Sequence, residues 1–256
     1  MVDQHDVICA PSLAGVPHGF LGRRGGVSTG DVAGLQFGLG AGDDPAHVAE
    51  NRRRAVEAIA PGAALVMPYQ VHSPDVAIVS EPWADDARPK VDAVVTDRPG
   101  LLVGVVTADC APILLADPSA GVVAAAHAGW RGAQSGVIEA TLEAMERLGA
   151  QANRVCAAIG PCIAQASYEV DAPFREHFTA DEERFFAEGR GGHWQFDLEA
   201  YCAARLQAAG VAEVEPLSRD TYAAPERFYS FRRATHLGQA SYGRQASLIA
   251  LGDDVA

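Results

Sequence analysis

A long apolar stretch from residue 101 to residue 129 constrains the fold more than any other feature of the sequence. Its two parts, LLVGVVTADCAPILLAD and GVVAAAHAG, are rich in β-branched and small apolar residues, and the turn-like DPSAG joins them. Continuous apolar runs of this kind are typical of strands that a sheet buries on both faces. We therefore predict that both parts form buried strands.

Three other segments have the pattern of amphipathic helices. Residues 42–60 offer Asp43 or Asp44 as the N-cap, with Pro45 in the first turn and Pro61 and Gly62 after the end. Two further helices are predicted by apolar residues at helical spacing, over residues 135–149 and 197–210.

Shorter strands are predicted near residues 63–72, 93–96 and 155–160, and residues 181–193 are predicted to be a surface helix end and loop. Helices and strands do not alternate strictly, as they would in a doubly wound fold. We predict an α/β chain of the mixed α+β type, a layered sandwich of mixed β-sheets flanked by helices. A single domain over residues 1–256 is expected.

Composition excludes several classes of partner. The chain has 256 residues, 48% of them hydrophobic, and a formal net charge of −13, so its long-range field repels nucleic acids and anionic membranes. No basic leader and no apolar run of about 18 residues is visible. Five cysteines without framework spacing indicate reduced thiols, and we expect a cytoplasmic protein, a monomer or weak oligomer. A local arginine cluster would still hold a small phosphate.

The hairpin geometry places a thiol beside an imidazole. If the two strands pair around a four-residue connection from Asp117 to Ala120, Cys110 lies opposite His127. Side chains directly opposite each other have Cβ atoms about 5 Å apart, which is a distance that one metal ion can span. A slip of one residue would turn the two side chains to opposite faces.

A third ligand is expected from the end of another strand. His72, in YQVHSPDV, is the leading candidate. Two histidines and one cysteine suit Zn²⁺ with a fourth position open to water or substrate, whereas closed structural sites use four protein ligands. The predicted site is therefore catalytic.

Two other interpretations fit the same residues. Cys110 is equally consistent with a small buried hydrophobe, and His127 with a core histidine that hydrogen-bonds the backbone. The third interpretation is a metal-free dyad in which Cys110 is a nucleophile and Asp109 or another carboxylate orients the imidazole. In a regular strand Asp109 faces away, which favours an indirect role or a bulge there.

Several landmarks together resemble a known family, the laccase domain proteins. These proteins are also called multicopper polyphenol oxidases, the YfiH family and peptidoglycan editing factors. The matching segments are GRRGGVS (22–28), GDDPAHVAENRRR (42–54), QVHS (70–73), TADCAPILL (107–115), AAAHAGWRG (124–132) and IGPCI with YEV (159–170). They span most of the chain.

The resemblance implies a zinc site at His72, Cys110 and His127 in a single-domain α/β sandwich. It also implies a purine nucleoside phosphorylase that acts on adenosine, inosine and methylthioadenosine, with adenosine deaminase activity alongside. The partners would then be a small-molecule nucleoside and phosphate. Deamination needs an activated water at the purine ring, and an open zinc position lowers the pKa of water to about 7.

Phosphorolysis needs a cation that holds phosphate beside the anomeric carbon. Arg23 or Arg24, followed by two glycines, supplies a cation and exposed amides, and the family resemblance favours Arg23. Trp130 and Arg131 are predicted to shape the pocket wall. Gln36 stands where relatives commonly carry Asn, and its longer amide would shift a hydrogen bond to the ligand.

Three competing functions follow from the same residues. Copper oxidation of phenols is disfavoured because the chain has eight histidines and three methionines but no HxH pair, whereas multicopper oxidases need further histidine clusters. A hydrolase that edits a peptidoglycan precursor would use the metal or the Cys110 thiolate. A zinc-dependent binding module would turn over no nucleoside.

Overall fold

The computed structural model describes residues 6–252. Within that range the strands are β1 His18–Phe20, β2 Ala64–Val66, β3 Val76–Ile78, β4 Ala93–Thr96, β5 Leu101–Thr107, β6 Ala111–Asp117, β7 Val122–Ala128, β8 Cys156–Ile159, β9 Glu169–Asp171, β10 Phe186–Glu188, β11 His193–Phe196, β12 Glu213–Pro216 and β13 Gln245–Ala250. The α-helices are α1 Pro45–Ile59, α2 Trp130–Ser135, α3 Val137–Arg147, α4 Ala172–Arg175, α5 Leu198–Ala208 and α6 Phe231–His236.

The strands of the described region form three sheets. A mixed six-stranded sheet has the order β12-β8-β6-β7-β4-β3, a four-stranded sheet has the order β1-β13-β5-β2, and β10-β11-β9 form a small third sheet. In the two larger sheets most neighbours are antiparallel, but β12 and β8, β3 and β4, and β2 and β5 run parallel. Mixed sheets with helices confirm the predicted fold class.

The two larger sheets pack face to face between helices. In β6, Ile113 and Leu115 contribute to the core shared with α3 and α5, while Leu114 lies in the core between the sheets. In β5, Val103 faces that inter-sheet core and Leu102 faces α1. Each of these strands is therefore covered on both sides, which explains why the sequence shows continuous apolar runs instead of alternation.

Local signals in the sequence agree with the helix ends. Asp44 is the N-cap of α1 and accepts a hydrogen bond from the Ala46 N–H, with Pro45 as the first helical residue. Gly136 has a left-handed conformation (φ 100°) that ends α2 and begins α3, and no residue with a side chain adopts that φ as easily. The short helix α2 is an element that the sequence did not predict.

Residues 181–193 agree with their prediction only in part. Residues 181–185 belong to a 3₁₀-helix, but the segment also includes β10 and the first residue of β11. In the third sheet β11 pairs with β10 on one side and with β9 on the other. These strands are too short for alternation to show in the sequence, although Phe196 is buried and Phe186 partly buried. No helix of the described residues is long and apolar enough to cross a membrane.

Candidate functional site

Three predicted ligands converge where three segments meet. His72 lies in the loop between β2 and β3, Cys110 directly precedes β6, and His127 lies in β7. Their ligand atoms all lie within 4.8 Å of one another, with 3.8 Å between His72 Nε2 and Cys110 Sγ. Within residues 6–252 this is the one group of at least three cysteine, histidine or acidic side chains close enough to share a metal ion.

The hairpin register differs from the prediction by two residues. Pro112, not Cys110, pairs with His127, and the connection runs from Pro118 to Gly121 between Asp117 and Val122. Cys110 lies just outside the ladder. A shift of two residues keeps every side chain on its predicted face, because the side chains of a strand alternate with period two. The predicted direct pairing of Cys110 with His127 is therefore wrong, but the two side chains lie on the same face of the hairpin, as predicted.

A buried carboxylate, Asp92, orients His127. Its Oδ1 lies 2.8 Å from His127 Nδ1, so the ring donates from Nδ1 and leaves Nε2 free to bind a metal. Burial opposes the charge of Asp92, but the hydrogen bonds that it accepts outweigh this effect and lower its pKa to about 2. The sequence analysis missed Asp92, although an acid directly before the apolar strand AVVT is an available signal.

The same carboxylate shapes the His72 loop. Asp92 accepts backbone N–H bonds from Val71, His72 and Ser73 at 2.7–3.0 Å. His72 has a φ of 62°, a left-handed conformation that is uncommon for a residue with a side chain. The three hydrogen bonds therefore hold strained backbone in place beside the site.

Gly129 allows the ligands to approach each other. A Cβ built on Gly129 would lie 2.8 Å from His72 Cδ2 and 3.0 Å from Cys110 Sγ. The site therefore requires a glycine in the HAGWRG segment because a side chain would not fit. The backbone conformation does not require it, since a φ of −68° suits any residue.

Cys110 and His127 stabilise each other's charged form. Burial disfavours the charged form of each group, but it is outweighed by their mutual attraction together with the contributions of His72 and Asp92. The pKa of Cys110 is lowered to about 6, and that of His127 is raised to about 9. One thiolate sulfur and two imidazole nitrogens form a donor set suited to Zn²⁺ or copper, and three protein ligands leave a position open. The residues therefore fit the implied metal.

Asp109 hydrogen-bonds other segments and neither His72 nor His127, which agrees with the indirect role that the sequence favours. Its φ is 86°, and its carboxylate accepts hydrogen bonds from the Thr221 hydroxyl (2.6 Å), the Ser230 hydroxyl (2.9 Å) and the Arg232 N–H (2.7 Å). Burial raises the pKa of Asp109 despite these bonds. It joins the loop before β6 to the chain around α6, and Asp92 orients the imidazole instead.

A large cavity of about 540 Å³ adjoins two of the three candidate ligands. His72 and Cys110 contribute to its wall, together with Trp130, Arg131 and Tyr168. The Trp130 ring lies 4.6 Å from Phe174, and the Arg131 guanidinium stacks 4.6 Å from the Trp130 ring centroid. The volume lies in the range of about 300–1,000 Å³ that is usual for small-molecule sites.

Two predicted substrate ligands lie elsewhere. Arg23 donates to the Pro225 and Ala33 carbonyls at 3.0 Å and stacks on the Tyr229 ring. Gln36 is fully buried, and its amide donates to Asp43 at 3.1 Å. Neither side chain lines the cavities beside the three ligands, so the structure brings Trp130 and Arg131 to the site but not Arg23 or Gln36.

Comparisons with known proteins identify relatives over nearly the whole chain. A family model described as multi-copper polyphenol oxidoreductase laccase matches residues 17–252. A Streptomyces coelicolor protein named purine nucleoside phosphorylase is 42% identical over 212 residues, which cover 82% of this chain and 86% of that protein. A Deinococcus radiodurans protein with the same name is 41% identical over 245 residues, covering 94% and 91%.

A solved structure shares the fold. The crystal structure of YlmD from Geobacillus stearothermophilus superposes with a TM-score of 0.87 at 32% identity, covering 95% of this chain and 94% of that one. The family match and these relatives confirm the resemblance noted in the sequence. The chain belongs to the family described as multi-copper polyphenol oxidoreductase laccase.

Proposed function

We propose that this protein is a zinc-dependent purine nucleoside phosphorylase that acts on adenosine, inosine and methylthioadenosine. The names of relatives about 40% identical support an enzyme of the phosphorylase kind. The observation that carries the proposal is the convergence of His72, Cys110 and His127 beside a cavity of about 540 Å³, whose wall includes His72 and Cys110. A site built this way admits a small organic substrate to the edge of a metal centre.

The chain's own residues would bind and orient the substrate. The flat purine matches the aromatic wall, where Trp130, Tyr168 and Phe174 offer ring faces and edges. Arg232 lies 5.3 Å from the Tyr168 ring and adds positive charge to the same wall. His72, Cys110 and His127 would hold zinc, and Asp92 would keep His127 in the tautomer that binds through Nε2. Bound there, zinc supplies a Lewis acid and a water of lowered pKa.

We propose adenosine deaminase activity at the same site, because hydrolytic removal of the 6-amino group needs an activated water next to a bound purine.

The partners are a nucleoside and phosphate, with no nucleic acid or membrane. Five free cysteines are consistent with the reducing cytoplasm, which is our proposed location, and we expect a monomer or weak oligomer.

A hydrolase that edits peptidoglycan precursors is the second candidate, and one observation favours it. The three side chains form a chain of contacts, in which Asp92 hydrogen-bonds His127 and His127 interacts with Cys110. The orienting acid, the base and the nucleophile of thiol hydrolases are arranged in the same way. In that function Cys110 would attack an amide carbonyl, and activity would persist after removal of metal. Copper oxidation of phenols remains a lesser alternative.

Metal analysis combined with an inosine assay tests the proposal. We expect purified protein to contain about one zinc per chain and to release hypoxanthine from inosine only when phosphate is added. Cys110→Ser should lose both properties, whereas Cys156→Ser, at a half-buried cysteine in β8, should retain both.

Two results would contradict this function. Phosphate-independent cleavage of an amide substrate by metal-free protein would favour the editing hydrolase. Phosphorolysis by Cys110→Ser at the wild-type rate would show that the metal centre takes no part in the reaction.

A further inference from the structure

A second, smaller cavity meets the large one at the ligand group. It has a volume of about 230 Å³, and both cavities have His72, Ala108 and Cys110 in their walls. His127 lines the small cavity only. Its volume lies below the range of about 300–1,000 Å³ typical of drug-sized ligands, so its occupant is small.

The walls of the small cavity are strongly basic. Three arginines contribute, namely Arg52 from α1, Arg88 from the loop before β4 and Arg244 from just before β13, and no aspartate or glutamate lines the cavity. This is a local reversal of charge in a chain with a net charge of −13. Guanidinium groups gathered around a small space are the usual protein ligands of oxyanions.

The acids around the cavity leave part of this positive charge unbalanced. Arg52 pairs with the Asp85 carboxylate at 2.9 Å, and Arg88 lies 3.6 Å from the same carboxylate. Arg244 donates to the Tyr242 hydroxyl at 3.0 Å, and no ion pair with it is found among residues 6–252. One carboxylate thus pairs with two of the three guanidinium groups, and the third, Arg244, has no acidic partner among the described residues.

Two buried polar atoms in these walls have no partner in the described part of the chain. The Thr107 hydroxyl is one of them, on a residue that is 2% exposed. The Arg52 Nε is the other. Both atoms are closed to solvent, but Arg52 and Thr107 both contribute to the wall of the same cavity. Buried donors are nearly always paired, so an occupant of this cavity that supplies acceptors is the partner that these two donors would need.

We propose that the small cavity is the subsite for inorganic phosphate, with Arg52, Arg88 and Arg244 as its cations and the Thr107 hydroxyl as a neutral donor. This inference rests on the proposed phosphorylase function and extends it. The nucleoside occupies the large aromatic cavity, and phosphate approaches from the small one, so the two reactants meet at the wall formed by His72 and Cys110.

The bond changes are balanced in this arrangement. A phosphate oxygen forms a bond to the anomeric carbon of the ribose while the bond from that carbon to the purine nitrogen breaks. The electron pair leaves with the purine, and the proton of hydrogen phosphate passes to it. The products are ribose 1-phosphate and the free base, and no further reactant is needed.

Direct titration with inorganic phosphate tests the subsite without any nucleoside. We expect calorimetry on the zinc-containing protein to detect phosphate binding that Arg244→Gln and Thr107→Val weaken at least tenfold. Thr107→Val has the same shape and removes a hydroxyl that bonds nothing in the described protein, so the fold should be unaffected. Thr107→Ser should restore binding. Ser12→Ala removes another unpaired hydroxyl, on a residue that lines neither cavity, and should change nothing.

Steady-state kinetics separate this inference from the proposed function. Thr107→Val should raise the KM for phosphate at least tenfold and leave the KM for inosine unchanged. If phosphate binds through Arg244 and Thr107 but inosine is not cleaved, the subsite stands and the phosphorylase function fails. If inosine is cleaved with an unchanged phosphate KM in both variants, the phosphorylase function stands and the subsite is overturned.

Two further results of the titration would also overturn the subsite. One is absence of phosphate binding at millimolar concentration, and the other is tenfold tighter, Arg244-dependent binding of adenosine monophosphate, which would indicate a site for a phosphate ester.

Discussion

At the scale of single residues, the candidate metal centre depends on groups that bind no metal themselves. Asp92 orients His127 and holds the backbone of the His72 loop, so one carboxylate positions two of the three ligands. Gly129 provides the space in which His72 and Cys110 approach each other. Both residues are positioning residues, and each can be tested by its effect on metal affinity.

Asp92→Asn should weaken zinc binding about 10–100-fold, the range usual for loss of a carboxylate that orients a ligating histidine. The amide keeps the shape of the carboxylate but loses its charge and one of its acceptor atoms. Competition with a chromophoric chelator measures the affinity. Asp97→Asn, which changes a partly exposed acid paired with Arg98, is the matched control and should bind zinc as the wild type does. Equal affinities in both variants would contradict the role of Asp92.

Gly129→Ala should weaken zinc binding with little change in the fold, because the added methyl group contacts the ligands while the backbone conformation suits alanine. Gly132→Ala is the matched control, since its Cβ would lie 3.4 Å or more from its neighbours. The same chelator assay, with circular dichroism to compare the folds, checks this expectation. If zinc affinity fell equally in both variants, the loss would not come from contact of the position-129 methyl group with the ligands.

At the scale of elements, the β6–β7 hairpin supports the site from its far end. Asp117 ends β6 and is fully buried, and its carboxylate accepts N–H bonds from Ser119 and Ala120 in the turn. The other oxygen accepts from Arg154 at 2.9 Å. The carboxylate therefore fixes the turn and ties the hairpin to the segment before β8, and its charge matters for stability.

Asp117→Asn should lower the free energy of unfolding at pH 7 by about 1.5–3 kcal/mol, the usual worth of hydrogen bonds to a charged group. Burial raises the pKa of Asp117, but the bonds from Arg154 and the backbone outweigh this and lower it in the folded protein. The stabilisation is therefore present above the unfolded pKa of about 3.9 and is lost as the pH falls through the lower folded pKa.

Urea unfolding of both proteins at pH 7 and at pH values below about 4 measures this difference. The gap between wild type and Asp117→Asn should stay constant down to about pH 4 and shrink below it. A gap that widens instead would mean that the charge of Asp117 does not stabilise the fold.

At the scale of the whole molecule, the ligand group joins parts of the chain that are far apart in sequence. His72 and Cys110 are 38 residues apart, and each lies in a loop that leads from the four-stranded to the six-stranded sheet. The core between and around the two large sheets is extensive and apolar without any metal. Metal binding should therefore add to the stability of a chain that already folds.

Zinc at about 100 times its dissociation constant should stabilise the protein by about 2.7 kcal/mol and raise Tm by roughly 5–10 °C. Thermal unfolding with zinc or with a chelator measures the shift. Cys110→Ser should show no zinc-dependent shift, and magnesium should cause none in the wild type because it prefers oxygen ligands. Complete unfolding in chelator would instead indicate a structural zinc site of the kind found in small binding modules.

Patterns local in the sequence determined the layered mixed fold, a cap of α1 at Asp43 or Asp44, the buried strands β5 to β7 and the choice of three candidate ligands. These features follow from which residues are apolar, which cap a helix and which bind soft metals, and such preferences act within a few residues.

Only the tertiary structure decided the hairpin register, the pairing of β9 to β11, the role of Asp92 and the meeting of Arg52, Arg88 and Arg244 in one cavity. Each depends on how separate segments pack, and no local pattern records a contact between residues that lie tens or hundreds of positions apart. Arg23 illustrates the difference: its Gly-rich neighbourhood suggested an anion site, but packing placed carbonyl oxygens from residues 33 and 225 around its guanidinium.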